Sequence, residues 1–243
     1  MKNGESLYRR ILLKLSGESF KGNNPGIIDP TVVSYMASEI KQILALGIQV
    51  GVCVGGGNIW RGSEAESQGM DRATADYAGM LATMINAVTL QDMLERDFQV
   101  PTRTMTAIDT REIAEPYIRR RAIRHLERNR VVIFAAGTGN PFMTTDTAAA
   151  LRAVEIEADL LLMAKNNVDG IYDSDPSTSK NAKKIDRITY IQAIEKRLQI
   201  MDTTALSLCM DNNLPMIVFD MFEKGNIHKI VQGEITGTLV TTT

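Results

Sequence analysis

The chain has 243 residues, 44% of them hydrophobic and 23% charged, which is ordinary for a water-soluble globular protein and long enough to bury a substantial core. The longest apolar runs, Val131–Ala136 and Leu160–Ala164, fall far short of a membrane span, and the polar Met1–Arg10 lacks the apolar centre of a signal peptide. A net charge of −2 argues against a general nucleic-acid binder, Cys53 and Cys209 inside apolar segments argue against a disulfide framework, and the distant His125 and His228 argue against a histidine-built metal site. A reducing cytoplasm is the expected setting, with no membrane and no nucleic-acid partner.

In chain order, Ile11–Leu15 is a short buried strand carrying one charge, Lys14. Asp29-Pro30 opens a helix whose Val32, Val33, Met36, Ile40, Ile43 and Leu44 share a face, and Gly47 closes it. Val50–Val54 is a second strand, followed by the triple glycine Gly55-Gly56-Gly57 and a polar stretch to Gly69. A long helix over Met70–Leu94 follows, with Tyr77, Met80, Leu81, Met84 and Val88 at three- and four-residue spacing. Arg103–Ile108 reads as a strand and Arg111–Leu126 as a helix kinked or broken at Pro116. Val131–Ala136 is the clearest strand. Then come a helix over Thr145–Glu155, a strand over Leu160–Ala164, an irregular segment over Ile171–Lys184, and helices over Thr189–Leu198 and Thr203–Asn212. Strands over Pro215–Phe219 and Leu239–Thr241, with a helix over Ile227–Gln232 between them, complete the pattern. Alternating strands and helices with continuously apolar strands predict an α/β fold, a three-layer α/β/α sandwich around a mainly parallel sheet. No Gly/Ser/Pro linker divides residues 1–243, so a single domain is expected.

Four glycine-containing stretches each follow a predicted strand: Lys14–Gly17, Gly55–Asn58, Gly137–Pro141 and Asn166–Gly170. Glycine lets backbone N–H groups approach a ligand closely, and a helix that follows adds the positive end of its dipole. Four such turns on one chain, with a lysine in the first, point to gathered phosphates. The usual nucleotide motifs are absent, since there is no Gly-Lys dipeptide for a Walker A loop and Trp60 stands where a G-x-G-x-x-G pattern needs its last glycine. Lys14 reads either as an edge-strand lysine reaching water or as a cation held for phosphate. Asp146 reads as a first-turn helix acid or as part of the site, and Asp76 as a solvated helix acid. The run Arg119-Arg120-Arg121 with Arg124, Arg128 and Arg130 has interspersed acids and no aromatic platform, so it is read as a solvated or subunit-interface face. Met80, Met84 and Met93 are read as core or interface filling.

Lys14-Leu15-Ser16-Gly17-Glu18, Gly55–Asn58, Gly137–Asp146 and Val168–Tyr172 with Asp175-Pro176 together resemble the amino acid kinase family, and within it the bacterial uridylate kinases, over about Arg10 to Val240. The resemblance implies the amino acid kinase fold and transfer of the γ-phosphoryl group of ATP to UMP, with Mg2+ carried by the nucleotide phosphates rather than by a dedicated protein site. It implies a chain whose N-terminal part mainly binds UMP and whose C-terminal part mainly binds ATP. It also implies ATP contacts from Lys14, Leu15, Ser16, Gly17, Gly57, Arg61, Asn166, Tyr172 and Asp175. UMP contacts come from Gly56, Asp76, Thr138, Gly139, Asn140, Pro141, Phe142, Met143, Thr144 and Thr145. A homohexamer is implied too, and the methionine-bearing face of the long helix offers an adaptable surface for it. The loop Gly22–Asp29 lacks the Gly-Phe-Gly-Ile-Asp pattern associated with GTP activation, so the resemblance does not carry that regulation over.

The chemistry of the residues agrees with such a transfer. A phosphate acceptor is already anionic and needs no strong base, so positioning and charge stabilisation carry the reaction. Lys14 would neutralise donor phosphates, Arg61 would bridge donor and acceptor, Asp146 would orient the lysine or position magnesium, and Lys165 would be a second cation. The rival readings are a family member acting on a carboxylate or carbamate, and a nucleotide-binding regulator or storage protein without turnover.

Overall fold

The computed structural model describes residues 7–22, 26–166, 168–174, 181–198 and 200–243. Among the described residues, nine strands form one sheet in the order β4-β3-β5-β2-β1-β6-β10-β11-β9. They are β1 (Arg10–Leu15), β2 (Gln49–Val54), β3 (Thr102–Thr106), β4 (Glu115–Pro116), β5 (Val131–Ala135), β6 (Leu160–Lys165), β9 (Arg187–Thr189), β10 (Met216–Asp220) and β11 (Thr238–Thr241). Every neighbouring pair is parallel except β10 with β11. The remaining two strands, β7 (Ile171–Tyr172) and β8 (Lys184–Ile185), pair antiparallel as a small separate ribbon.

Side-chain alternation along β1 divides the core into two layers. Ile11, Leu13 and Leu15 face one side and pack with Val50, Val52 and Val54 and with residues of α1 (Pro30–Ala45), α3 (Arg72–Arg96) and α8 (Asn226–Val231). Leu12 faces the other side with Cys53, Val132 and Phe134. Residues of α4 (Arg119–Glu127), α5 (Thr145–Glu155), α6 (Tyr190–Glu195) and α7 (Thr203–Asp211) cover that layer. Strands buried on both faces read as unbroken apolar runs, which is why the sequence displays them.

Side-chain caps fix where several of the helices start. Asp29 accepts the Thr31 N–H at 2.9 Å with Pro30 in the first turn, and Asp71 accepts the Thr74 N–H at 2.9 Å. Thr144 accepts the N–H groups of Asp146 and Thr147, both at 3.1 Å, to start α5.

Five expectations change. The segment from Arg111 does not begin a helix; Thr110 closes a turn, Glu115–Pro116 add an edge strand to β3, and α4 starts only at Arg119. Pro116 lacks an amide N–H and pushes the preceding residue out of helical geometry, so it breaks the segment rather than kinking it. The polar stretch before Gly69 contains a short helix, α2 (Gly62–Ser67), and the irregular segment after Ile171 contains the β7–β8 ribbon. Strand β9, which pairs with β11, is too short to leave a periodic signal. Finally, Met80, Met84 and Met93 of α3 lie in the chain's own core, at 7%, 5% and 7% exposure, so the methionine face is not a free surface. The exposed apolar stripe of α3 is Tyr77, Leu81, Ile85 and Val88, each between 40% and 52% exposed.

Candidate active site

Strands β5, β2, β1 and β6 are neighbours and parallel, so their carboxyl ends lie along one edge of the sheet. The four glycine-containing stretches leave from those four ends. This gathers in space what the sequence holds more than a hundred residues apart, at the edge where open α/β sheets bind ligands.

Lys14 stands at the centre. Its neighbours in register are Cys53 on β2 and Met163 on β6, so it belongs to a central strand and the edge-strand reading does not hold. Its side chain turns to the α5 face and its Nζ lies 2.7 Å from Asp146 Oδ1, in the first turn of α5. Lys165, at the end of β6, donates to the Ile200 carbonyl at 2.9 Å. Burial lowers the Lys165 pKa, the Lys14 charge lowers it further, and Asp146 opposes both. Two ammonium groups and one carboxylate therefore share a single electrostatic site. On β2, burial pushes the Cys53 thiol up to about 12, so it is an inert packing group.

The loops after β1 and β2 are packed backbone to backbone. A Cβ on Gly17 would sit 2.3 Å from the Gly57 nitrogen, so no side chain is tolerated there. Gly56 lets α3 close down on the loop; a Cβ there would lie 2.9 Å from both Ala82 Cβ and the Gly79 carbonyl. Leu15 buries its side chain in the core and its carbonyl accepts the Gly55 N–H at 2.9 Å. Ser16 precedes a 3-10 turn, Gly17–Phe20. Glu18 in that turn pairs with Arg61, which precedes α2 and also lies 3.5 Å from Glu64. Asn86 of α3, fully buried, donates to the Gly55 carbonyl and to Asn58 Oδ1, both at 2.7 Å.

The stretch after β5 is left-handed at Ala136 (φ 60°), Gly137 (φ 58°), Gly139 (φ 81°) and Phe142 (φ 67°). Thr138 Oγ1 accepts the Asn140 N–H at 3.2 Å. Asp76 is no solvated helix acid. Its side chain accepts the Phe142 N–H at 2.7 Å and both its oxygens lie 3.0 Å from Arg72 Nε, which ties α3 to the segment. Pro141 lies between these ties, while Phe142 and Met143 are exposed at the lip. Thr144 donates to Asp202, which also accepts the Thr147 hydroxyl at 2.9 Å and caps α7 through the Ala205 N–H at 2.9 Å. Thr145 opens α5.

On the other side of Lys14 lies a cavity of about 540 Å3 lined by Lys165, Gly170, Tyr172, Arg197, Leu198 and Ile200, among others. Tyr172 donates to Asp169 Oδ1 at 2.6 Å and Lys184 Nζ lies 3.0 Å from Asp169 Oδ2, so the β7–β8 ribbon forms a braced wall. The side chain of Asn166 accepts the Ser19 hydroxyl at 2.6 Å, which joins the loops after β6 and β1. Asp175 lies outside the described residues, as do Asn167 and residues 23–25 of the loop that departs from the GTP-associated pattern.

Sequence reasoning quoted Glu18 in the motif Lys14–Glu18 without giving it a role, and passed over Thr83, Asn86, Arg152 and Asp202. Asp202 ahead of Thr203-Thr204 carried the signature of a helix cap, but nothing local shows that it reaches Thr144. Thr83 and Asn86 are polar residues three apart on the buried side of a helix, and that pattern was the available signal.

The model of the amino acid kinase family matches residues 9–220. A UMP kinase of Bacillus anthracis is 41% identical, with a TM-score of 0.94 over 97% of this chain and 96% of that one. A UMP kinase of Ureaplasma parvum is 39% identical, with a TM-score of 0.91 over 96% of this chain and 98% of that one. A uridylate kinase of Archaeoglobus fulgidus is 28% identical, with a TM-score of 0.73 over 95% of this chain and 99% of that one. A central lysine–aspartate pair ringed by four strand-end loops, on a sheet that superposes with these enzymes along nearly its whole length, places the chain in the amino acid kinase family.

Proposed function

We propose that this protein is a nucleoside monophosphate kinase that transfers the γ-phosphoryl group of ATP to UMP, giving UDP and ADP. The observation that carries this reading is the Lys14–Asp146 pair at the sheet's carboxyl edge, between the threonine-rich segment 138–145 and the cavity beside Tyr172. The similarity to UMP kinases over nearly the whole chain supports the same acceptor. A phosphate oxygen of UMP attacks the γ-phosphorus, the bond to the β–γ bridging oxygen breaks, and ADP leaves with that electron pair. No proton need be taken from the acceptor, so the protein's work is to bring two polyanions into line and stabilise the charge between them.

Lys14 neutralises the donor phosphates, and Asp146 holds its ammonium in place. Arg61, released from Glu18, reaches across the glycine loops to both phosphate chains. Lys165 adds a second cation from β6. Segment 138–145 together with Asp76 and Gly56 holds UMP. Gly57, the β1 loop, Asn166, Tyr172 and Asp175 hold ATP, so the N-terminal part of one domain mainly serves the acceptor and the C-terminal part the donor. Among the described residues no group of three or more His, Cys, Asp or Glu converges on a metal site. Mg2+ bound with the nucleotides would be carried by their phosphates, the Asp146 carboxylate could help hold it, and it would supply further charge neutralisation. Aspartate and acetylglutamate would leave the uracil-reading groups of 138–145 without partners.

A coupled assay of ADP release offering UMP, CMP, aspartate and acetylglutamate in turn tests the reading. UMP is expected to support turnover with kcat/KM about 10²-fold or more above CMP, because buried polar groups left unpaired by the wrong base are costly. Equal turnover of UMP and CMP would reject the assignment, and UMP-independent binding of ATP without turnover would favour a regulator.

The product places the enzyme in pyrimidine nucleotide synthesis. The two cysteines, both buried and unpaired, agree with a reducing cytoplasm, and no helix among the described residues is long and apolar enough to cross a membrane. Assembly as a homohexamer uses the stripe Tyr77, Leu81, Ile85 and Val88, an apolar face of the kind that packs against its own copy across a two-fold axis. Light scattering should give a mass near six times 26.8 kDa. Leu81→Asp should lower it without unfolding the chain, and a wild-type monomer with full activity would contradict the assembly.

A further inference from the structure

The hinge between β5 and the acceptor segment consists of two consecutive left-handed residues, Ala136 (φ 60°) and Gly137 (φ 58°). Glycine takes that conformation freely, but alanine does so at a cost, so something else must hold Ala136 there. Two side chains grip its surroundings from opposite faces of the sheet. From α3, Thr83 Oγ1 accepts the Ala136 N–H at 2.7 Å while donating to the Met80 carbonyl at 2.7 Å. From α5, Arg152 Nη2 donates to the Gly137 carbonyl at 3.2 Å.

Neither side chain is idle filling. The guanidinium of Arg152 lies 3.8 Å from the centroid of the Tyr117 ring, and its Nη1 is 2.6 Å from Glu155 Oε2. The same oxygen accepts the Tyr117 hydroxyl at 2.7 Å. Tyr117 in turn sits edge-on to Phe134 of β5. Arg152 is thus a buried cation fixed by a carboxylate and a ring, with one nitrogen left to reach the hinge. Thr83 and Ala136 are buried as well, so removing the hydroxyl would strand the Ala136 N–H away from water.

We propose that Thr83 and Arg152 are positioning residues that hold the Ala136–Gly137 hinge left-handed and so aim the segment 138–145 at the acceptor nucleotide. This rests on reading that segment as the UMP site. Neither residue touches the reacting phosphates; both act through the backbone. Their loss therefore weakens UMP binding selectively, and relief of the cost at Ala136 offsets that loss.

The test is steady-state kinetics in both substrates on the full chain, alongside hydrogen exchange without ligand. Thr83→Val, which keeps the shape and removes the hydroxyl, should raise KM for UMP about tenfold, the scale of one lost buried hydrogen bond, and leave KM for ATP within about twofold. Thr83→Ser should behave as wild type. Adding Ala136→Gly to Thr83→Val should bring KM for UMP back toward wild type, because glycine adopts the hinge conformation unaided. Should Thr83→Val not fold, Arg152→Lys, which keeps the charge and loses the fork, should show the same selective rise and the same rescue. Equal rises in both KM values, a serine variant as impaired as valine, or a second substitution that deepens the defect would overturn the proposal. Exchange at amides 137–145 of the ligand-free protein should quicken in Thr83→Val and not in Thr83→Ser. Failure of the wild-type protein to consume ATP with UMP would count against the functional reading instead, and the exchange result would still decide the hinge.

Discussion

Residues 136–147 and the ribbon-lined cavity beside Lys165 flank the same lysine and use their polar groups in opposite ways. In the first, nearly every polar side chain is engaged in holding the segment: Asp76 on the Phe142 N–H, Thr144 on Asp202 and on the start of α5, Thr138 on the Asn140 N–H. In the second, the bracing is confined to the wall, where Asp169 joins Tyr172 and Lys184, and about 540 Å3 of space remains. A pre-organised segment suits reading of one base against another, whereas an open, braced cavity suits a donor that must enter and leave each cycle. Lys14 and Asp146 sit at the seam between the two, and the comparison is sharpened by substitutions that should affect one side and spare the other.

The largest effect should come from the seam itself. Lys14→Ala removes the cation that both sides share and should lower kcat by about 10²–10³-fold while changing UMP affinity far less. Measured kcat within a few-fold of wild type would make Lys14 a structural residue. Next in size is Asp76→Asn, which weakens a charge-assisted hold on Phe142 and on Arg72. It should raise KM for UMP by about 10–100-fold and leave KM for ATP alone, and a matching rise for ATP would erase the distinction between the two sides.

Tyr172→Phe is the corresponding change on the donor side. It removes the hydroxyl that braces Asp169 and should raise KM for ATP by about 3–10-fold with KM for UMP unmoved. The smallest effect concerns stability. Because burial lowers the Lys165 pKa, the unfolded chain binds that proton more tightly than the folded one. The ammonium then costs stability below the folded pKa, and the cost is relieved as pH rises toward the ordinary value of 10.5. Chemical denaturation should therefore show the stability of wild type rising relative to Lys165→Met as pH rises toward about 10, where tyrosines are still protonated in both states. A relative stability of wild type that falls as pH rises would contradict the lowered pKa.

The difference between the two regions also explains how much could be read beforehand. The central strands were legible because β1, β2, β5 and β6 are apolar on both faces. The helix over 145–155 was legible because Thr145-Asp146 read as an N-cap and a first-turn acid, although the capping side chain is that of Thr144, one residue earlier. Segment 138–145 stood out as a dense polar run after a buried strand. The donor side was less legible, since its ribbon strands are two residues long and Lys165 owes its environment to Ile200, far along the chain. The residues around Asp76 read as an ordinary helix acid and only the family resemblance singled it out; the contact with Phe142 appears when α3 is laid against that segment. Glu18, Thr83, Arg152 and Asp202 act on groups distant in sequence; a cap signature at Asp202 or a buried polar spacing at Thr83 marks the residue but not the partner it reaches. The methionines of α3 were read as core or interface filling, and burial assigns them to the core: a helix apolar on two faces has two stripes, and only burial tells which one is which.

The division of one sheet edge into an acceptor side and a donor side is tested most directly by hydrogen exchange of the wild-type protein with each ligand alone. UMP should slow exchange at amides 137–147 and around Asp76 with little change at 168–174. A non-hydrolysable ATP analogue with Mg2+ should slow 14–18, 168–174 and 196–198 with little change at 138–145. Protection of 138–145 by the ATP analogue alone, or of 168–174 by UMP alone, would contradict the account.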